Sequence, residues 1–344
     1  MRFSQHKEVA VLVLNWNGRT LLQQFLPSWL AHTPDYADLI IVDNGSTDDS
    51  VSFLQEHYRD VHLLAFEENL GFAGGYNRAI EELDYQTVIL LNSDVELTSG
   101  WLDQPMQLLN SSPEIAAVQP TLRAQRSPKD FEYAGAAGGF IDRLGYPFCR
   151  GRIFDTIEED RGQYADSVDL FWASGACLII RRAVYREVGG LDTLFFAHQE
   201  EIDLCWRLNA RGWRIVSAPQ SIVYHVGGAS LSADSPRKVF LNFRNNLLMI
   251  YKNLPAPTLH RVLFGRMILD LVAMLVYLLR LRPGQAASVL KGWRCFLIKR
   301  QRYESTRQEN LKKTVRPISP ELMKPYSLLF QYYFKGRKRY SDLP

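Results

Sequence analysis

Cysteine is scarce in this sequence, and its spacing shows no pairing. The 344 residues contain only Cys149, Cys177, Cys205 and Cys295, and no two of them form a C-x-x-C pair. This pattern argues against a zinc site or a disulfide framework and predicts a reducing compartment. The apolar run at residues 9–14 is shorter than the hydrophobic region of a secretory signal. We therefore expect a cytoplasmic protein.

Two common phosphate-binding motifs are also missing. The sequence contains neither G-x-G-x-x-G nor G-x-x-x-x-G-K-[ST], which argues against a dinucleotide-binding or P-loop enzyme. The composition is 47% hydrophobic and 22% charged, values that exclude a disordered or collagenous chain.

Charge is nearly balanced overall but unevenly distributed along the chain. Residues 1–236 contain 18 Lys and Arg against 32 Asp and Glu, whereas residues 237–344 contain 22 against 5. An acidic body followed by a basic region predicts a polyanionic partner surface, either nucleic acid or anionic lipid. The alternative is a basic face that is simply solvated.

Short apolar runs alternate with helical patterns in the first 120 residues, which is typical of βα units on a parallel sheet. The predicted strands are 9–14, 39–42, 61–66, 87–91 and 115–119, and the predicted helices are 20–31, 48–58, 72–83 and about 99–110. Further along we expect an irregular segment at 121–165, strands at 168–180 and 214–218, and helices at 200–211 and from Ser235 to about Tyr251. Because Pro255 and Pro257 follow, we expect a domain at 1–255 and a basic helical region at 256–344.

Polar residues follow each of the first four predicted strands. They are Asn15 after the first strand, Asp43 after the second, a segment from Glu67 to Asn77 that contains a glycine-rich loop after the third, and Asn92, Ser93 and Asp94 after the fourth. Strand ends of a parallel sheet converge on one edge, where ligands bind. Glycines that open a helix suit a phosphate, and one carboxylate with diphosphate oxygens suits Mg²⁺ or Mn²⁺. The pattern predicts a nucleoside-diphosphate site with a divalent metal, although such residues also form ordinary turns.

Four of these segments resemble motifs of the family-2 glycosyltransferases, with the closest match in the rhamnosyltransferase-like branch. They are Val-Leu-Asn-Trp-Asn-Gly (13–18), Ile-Val-Asp-Asn-Gly-Ser-Thr-Asp (41–48), Asn-Leu-Gly-Phe-Ala-Gly-Gly-Tyr-Asn (69–77) and Leu-Leu-Asn-Ser-Asp-Val (90–95). The match continues at 174–177, 200–207 and 224–228 and covers about residues 8–253. The resemblance implies an α/β GT-A fold, with a mainly parallel sheet flanked by helices, and inverting transfer from a nucleotide-sugar.

The resemblance also assigns roles to individual residues. It implies that Asp94 is the metal ligand of a D-x-D-type motif and that His225 completes the shell of a divalent Mn²⁺ or Mg²⁺. The residues expected to bind the donor are Asn15, Asp43, Asn69, Gly74, Asn77, Asn92 and Ser93.

Two adjacent acids match the family's Glu-Asp pair, in which the second acid is the catalytic base. Here the pair is Glu200 and Glu201, and the longer second side chain moves its carboxylate by about 1.5 Å, enough to affect proton abstraction. The base is therefore either Glu201 or Glu200. We expect Asp203 to be structural, with an exposed helix carboxylate as the alternative.

The basic C-terminal region begins with an apolar segment at 259–281. Arg266 and Asp270 interrupt it and share one helix face, so the segment falls short of the roughly 20 apolar residues of a membrane-spanning helix. We expect a helix that lies on a membrane or packs on the catalytic domain. The basic segment 291–313, with Trp293 and Phe296, predicts an anchor on anionic lipid, or otherwise a core helix with a basic outer face.

Together these patterns predict a metal-dependent, inverting glycosyltransferase at the inner face of the cell membrane, acting in envelope glycan synthesis. Its partners would be a nucleotide-sugar, with dTDP-rhamnose as one candidate, a lipid-linked or polysaccharide acceptor and an anionic membrane surface, with no nucleic acid. Two alternatives stay open, a nucleotidyltransferase and a non-catalytic nucleic-acid-binding protein that uses the basic region.

Overall fold

The computed structural model describes residues 7–227 and 235–344. Its strands are β1 (Val9–Asn15), β2 (Ala37–Asn44), β3 (His62–Phe66), β4 (Thr87–Asn92), β5 (Val95–Glu96), β6 (Ile115–Ala124), β7 (Ser127–Phe131), β8 (Gly139–Asp142), β9 (Pro147–Cys149), β10 (Arg152–Ile153), β11 (Thr156–Ile157), β12 (Cys177–Arg181), β13 (Arg214–His225) and β14 (Met323–Lys324). Its helices are α1 (Arg19–His32), α2 (Ser50–His57), α3 (Gly71–Glu82), α4 (Asp103–Ser111), α5 (Arg182–Glu187), α6 (Glu200–Ala210), α7 (Pro236–Asn253), α8 (Ala256–Leu279), α9 (Pro283–Lys299) and α10 (Glu304–Lys312).

The larger sheet has the strand order β3-β2-β1-β4-β12-β6-β13-β5, with β7 on β6. The pairs among β3, β2, β1 and β4 are parallel, as the βα alternation predicts. Strand β12 pairs antiparallel with both β4 and β6, so the sheet as a whole is mixed. The register pairs Asn15 with Asp43 at the carboxyl ends of β1 and β2, which brings these two side chains to the same edge.

The larger sheet is buried on both faces. Alternate residues of β1 enter two separate apolar clusters: Ala10 and Leu12 join the one that contains α3 and α6, and Val9, Val11 and Val13 join the one that contains α1. A strand covered on both sides must be apolar at every position, which explains its uninterrupted apolar run.

A second sheet lies where the sequence predicted irregular structure at 121–165. Its strand order is β11-β10-β9-β8-β14. The strands are two to four residues long, and β14 comes from near the C-terminus, so no local pattern predicts their pairing. The expected strand at 168–180 is wrong over most of its length, because residues 169 and 172 each form a single bridge to a different sheet and only Cys177–Arg181 forms a ladder.

Two element boundaries also differ from the prediction. Residues 99–102 form turns, and α4 begins only at Asp103. Strand β13 runs past the predicted end at residue 218, because a register shift between Ala218 and Ile222 accommodates Pro219 and the ladder with β6 resumes beyond it.

The C-terminal helices pack against the α/β body. Helix α8 is long and apolar enough, by length and composition, to cross a membrane, so the expectation that this segment falls short of a spanning helix is wrong on those two criteria. Its Arg266 and Asp270 share one face, as predicted, and form a buried ion pair of 3.4 Å. Trp293 of α9 donates to Asp270 and is partly buried, and Phe296 is fully buried, so both of the aromatic residues predicted to contact lipid pack against the protein instead. The division at residue 255 stays a prediction.

Candidate active site

The ends of β1 and β2 are joined by a hydrogen-bonded pair. Asn15 Nδ2 donates to Asp43 Oδ2 at 2.9 Å, and the Asp43 carboxylate also accepts from the amide and hydroxyl of Ser46. Asn15 Oδ1 is buried without a hydrogen-bond partner. A Cβ on Gly18 would lie 2.3 Å from that oxygen, so only glycine fits at this position. We call Asn15 and Asp43, at this edge of the sheet, the polar floor.

Asn44 connects this floor to the glycine-rich loop. Its Nδ2 donates to Asn69 Oδ1 and to the Gly71 carbonyl, both at 3.1 Å, and its Oδ1 accepts from the Leu70 amide at 3.0 Å. Gly71 has a φ of +73°, which glycine adopts without strain. These bonds fix the N-terminus of α3, which begins at Gly71 and includes Gly74. Amide groups at a helix N-terminus suit a phosphate.

Asn77, also expected to bind the donor, has its side chain engaged within the protein. Its Oδ1 accepts from the Leu191 amide and the Tyr185 hydroxyl, and its Nδ2 donates to the Leu191 carbonyl. These bonds tie α3 to the segment that precedes α6, so Asn77 has an evident structural role. Its contact with a donor stays a prediction.

Asp94 and His225 meet where β5 pairs with the end of β13. His225 Nε2 lies 3.1 Å from Asp94 Oδ1, and His225 Nδ1 lies 3.3 Å from Glu132 Oε1. Burial alone would lower the pKa of His225, but the hydrogen bond to Asp94 and the charges of Asp94 and Glu132 outweigh it and raise that pKa to about 10. The two carboxylates therefore hold the imidazole between them, and Asn92 and Ser93 form the half-buried turn that precedes Asp94.

These side chains fit a divalent cation in part. Across residues 7–227 and 235–344, no group of three or more His, Cys, Asp or Glu is arranged to hold a metal by itself. Asp94 and His225 could supply one oxygen and one nitrogen ligand, and a donor diphosphate would supply the rest. The far nitrogen of the histidine, Nδ1, lies 3.3 Å from Glu132 but forms no hydrogen bond there. A carboxylate that accepts from that nitrogen is the usual way to fix the tautomer of a ligating imidazole. Gly228, the last residue of the motif at 224–228, lies outside the described residues.

Glu200 and Glu201 occupy the first turn of α6. Glu200 is only 5% exposed and Glu201 is partly exposed, and the Oε2 atom of each is buried without a hydrogen-bond partner. Burial raises the pKa of Glu201 to about 7. Burial and the charge of Glu201 raise that of Glu200 well above its usual value. A carboxylate with a pKa near neutrality is suited to general base catalysis.

Helix α6 and the turn of Asn92, Ser93 and Asp94 share one neighbouring segment. The Asn92 amide donates to the Ala176 carbonyl at 3.0 Å, and a Cβ on Gly175 would lie 3.7 Å from the Cβ of Glu201. Residues 175 and 176 therefore lie between the acidic pair on α6 and the end of β4.

Asp203 is structural, but the alternative of an exposed helix carboxylate is wrong. It is fully buried and accepts from Lys252 Nζ at 2.8 Å and from Arg207 at 3.0 Å. Burial would raise the pKa of Asp203, but these two cations lower it. This network joins α6 to α7.

Two residues of the site escaped the sequence analysis. Asn44 follows Asp43 directly, and Asp43 alone was assigned a role in that segment. An amide side chain next to a strand-end carboxylate was a usable signal. Glu132 lies in the segment 121–165, which was expected to be irregular. Its contact with His225 depends on how β6, β7 and β13 pair. No local pattern marks it.

Comparisons with known proteins bear on the family and the fold of the chain. The sequence profile of Glycosyl transferase family 2 matches residues 10–189. The chain is 28% identical over 242 residues to the N-acetylglucosaminyl-diphospho-decaprenol L-rhamnosyltransferase of Mycobacterium tuberculosis, a match that covers 65% of this chain and 78% of that protein.

Two solved structures share the fold. The mannosyltransferase PcManGT from Pyrobaculum calidifontis, in complex with GDP-Man and Mn²⁺, has a TM-score of 0.52 at 14% identity, with coverage of 91% of this chain and 87% of that one. GalNAc-T7 with UDP, GalNAc and Mn²⁺ has a TM-score of 0.56 at 15% identity, with coverage of 74% of this chain and 49% of that one. These likenesses confirm the GT-A-like fold. The chain is a glycosyltransferase enzyme of the rhamnosyltransferase-like branch, and it belongs to Glycosyl transferase family 2.

Proposed function

We propose that the protein is a metal-dependent, inverting glycosyltransferase that moves a sugar from a nucleotide-sugar to a lipid-linked acceptor. The observation that carries this proposal is the position of the acidic pair of α6, which is one segment away from the turn where Asp94 meets His225 of β13. L-rhamnose from dTDP-rhamnose is the sugar we propose, since a rhamnosyltransferase is 28% identical to this chain.

In the proposed reaction Glu201 is the base, because it is the more exposed of the two acids. Its carboxylate accepts the proton of an acceptor hydroxyl, and the oxygen attacks the anomeric carbon from the face opposite the diphosphate. The bond from that carbon to the diphosphate oxygen breaks, and the configuration inverts. A divalent metal bound by Asp94 and His225 would neutralise charge on the departing nucleoside diphosphate.

The proposed donor site combines the polar floor and the start of α3. Asp43 and Asn15 lie at the strand ends, where the nucleoside would bind, and Asn69 and Gly74 lie at the glycine-rich loop, where the diphosphate would meet backbone amides. Because Asn44 and Asn69 already hold this loop, the site would need little rearrangement to accept a donor.

We propose a lipid-linked acceptor because the rhamnosyltransferase relative is named for one, a diphospho-decaprenol. Helix α8 supports a membrane location, because its outward face is apolar and exposed, including Phe264, Leu275 and Leu279. The exposed cations on α9 and beyond include Lys291, Arg294, Arg300, Arg302, Lys312 and Lys313. An apolar helix face with nearby cations suits the surface of an anionic bilayer, with the protein peripheral on its cytoplasmic side.

A donor-hydrolysis screen tests the proposed activity. Purified full-length protein is incubated with a panel of nucleotide-sugars in Mn²⁺ or Mg²⁺, and release of nucleoside diphosphate is measured. We expect metal-dependent release from one donor of the panel. Consumption of a nucleoside triphosphate instead would indicate a nucleotidyltransferase, and salt-sensitive oligonucleotide binding that survives Asp94→Asn would indicate a nucleic-acid-binding protein.

A further inference from the structure

The segment immediately before the catalytic helix, residues 194–199, has an unfavourable backbone. Phe196, His198 and Gln199 have φ angles of 67°, 70° and 74°, a region that residues with a side chain rarely adopt. The Ala197 amide donates to the Phe195 carbonyl, two residues back, at 2.8 Å, which closes a tight and strained turn. Such conformations persist only where the surroundings enforce them, and they concentrate at functional sites.

One buried side chain enforces this backbone. Asn245, on α7, is fully buried, and its Nδ2 lies within hydrogen-bond distance of the carbonyls of Phe195, Ala197 and His198, at 3.0, 2.8 and 2.7 Å. One amide group thus contacts three carbonyls of a single turn. Without it, these three carbonyls would lose their common donor, and the centre of the turn would be freer to relax.

The neighbours of Asn245 hold the two ends of the same segment. Arg244 donates to the Phe195 carbonyl at 2.8 Å, and Asn246 donates to Gln199 Oε1 at 2.9 Å. Three consecutive polar residues of α7, all of them buried, therefore converge on residues 194–199.

The conformation of this segment determines where the acidic pair lies. The first hydrogen bond at the start of α6 runs from the Asp203 amide to the Gln199 carbonyl at 2.9 Å, so the left-handed residues 198 and 199 set the direction in which the helix begins. On its other side the segment lies beside the glycine-rich loop. A Cβ built on Gly71 would lie 3.7 Å from the Phe196 ring. One strained turn thus connects the proposed donor loop to the proposed base.

We propose that Asn245 is a positioning residue for the glycosyl transfer, which holds residues 194–199 so that Glu200 and Glu201 enter the site at a fixed depth. This inference rests on the proposed function for its kinetic consequence and on the structure alone for its conformational one. Asn245 touches neither donor nor acceptor in this account and acts through the backbone of the turn.

The kinetic test compares Asn245→Ala and Asn245→Ser with a matched control, Asn209→Ala. Asn209 is also a buried amide donor, with bonds to the carbonyls of Phe171 and Cys205, but it lies at the other end of α6. Because a misplacement of about 1 Å costs roughly 100-fold in rate, we expect Asn245→Ala to lower kcat by at least 10-fold. The donor KM should stay within about twofold, and the pH midpoint of kcat should shift, because the burial of the acids changes. Asn209→Ala should leave kcat and the midpoint unchanged. A wild-type kcat and midpoint in folded Asn245→Ala would overturn the proposal.

A substrate-free measurement separates this proposal from the proposed function. Hydrogen exchange of residues 194–203 is compared between the wild type and Asn245→Ser, which keeps one hydroxyl donor and serves if the alanine variant does not fold. We expect faster exchange confined to this segment in Asn245→Ser and unchanged exchange there in Asn209→Ala. Unchanged exchange in Asn245→Ser would refute the positioning role. Absence of turnover in the wild type with every nucleotide-sugar would instead refute the proposed function and leave the exchange result to decide this one.

Discussion

His225 Nε2 lies 3.1 Å from Asp94 Oδ1, although 131 residues separate the two in sequence. The antiparallel pairing of β5 with β13, in which His225 is opposite Val95, brings them together. Each is buried, and Glu132 lies on the far side of the imidazole. The position of a proposed metal site is therefore set by one short strand pairing at the edge of the larger sheet.

Replacing Asp94 tests this site directly. We expect Asp94→Asn to abolish Mn²⁺ binding and to reduce sugar transfer to background, because it removes the carboxylate of the Asn-Ser-Asp turn. Calorimetric titration with Mn²⁺ in the presence of nucleoside diphosphate measures the binding. The matched control is Asp38→Asn, since Asp38 is also a buried strand carboxylate but pairs with Lys7 and Tyr85. Equal Mn²⁺ affinity in the two variants would contradict the assignment.

The proposed base is tested by two isosteric substitutions. Glu201→Gln keeps the shape of the side chain but cannot accept a proton, and we expect turnover to fall by roughly 10²–10⁴-fold with little change in donor affinity. Because burial raises the pKa of Glu201 to about 7, wild-type turnover should rise with pH around neutrality. Steady-state kinetics between pH 5 and 9 measure both effects. A larger loss in Glu200→Gln would transfer the role to Glu200.

Glu201→Gln should also stabilise the protein at alkaline pH. The pKa of Glu201 is about 7 when folded, against about 4.3 for an unperturbed glutamate. The folded state therefore binds the proton more tightly, a contribution to stability that is complete below about pH 4.3 and is lost as pH rises through about 7. We expect the melting temperature of Glu201→Gln to exceed that of the wild type by more at pH 8 than at pH 5. A difference independent of pH would show that the carboxyl is not buried as described.

Substitutions on the outward face of α8 test the proposed membrane contact. Leu275 is 53% exposed, so Leu275→Ser should leave the fold intact and weaken binding to vesicles that contain anionic lipid. High salt should weaken wild-type binding only in part, because it screens the cations but not the apolar face. Leu30→Ser is the control, since Leu30 is a similarly exposed apolar residue on α1. Vesicle sedimentation that is equal for the two variants would contradict the contact.

Much of the α/β half could be predicted because its signals are local. Strands β1 to β4 are short apolar runs, and the polar residues that follow them converge at one edge for topological reasons. The second sheet could not be predicted, because β14 reaches β8 from about 180 residues away and each strand is too short to show a period.

Charge patterning was informative only in part. The basic stretch 237–344 contains Arg244, Lys252, Arg266 and Arg307, which are all buried. Inside the fold these side chains form ion pairs with acids or donate hydrogen bonds to oxygen atoms. A count of charges along the sequence does not distinguish buried cations from exposed ones. Only the tertiary packing shows that these four are internal. The run of three consecutive polar residues at 244–246, followed by the apolar residues 247–250, was the available signal for the role of Asn245.

The most direct test of the whole account is transfer itself. Full-length protein is incubated with dTDP-rhamnose and an N-acetylglucosaminyl-diphospho-lipid in detergent, with Mn²⁺ or with chelator, and both nucleoside diphosphate and the anomeric configuration of the new linkage are measured. The account predicts equal amounts of released diphosphate and glycosylated lipid, a linkage inverted relative to the donor, and loss of both products with chelator and in Asp94→Asn. A retained anomeric configuration, or transfer undiminished by chelator and by Asp94→Asn, would contradict it.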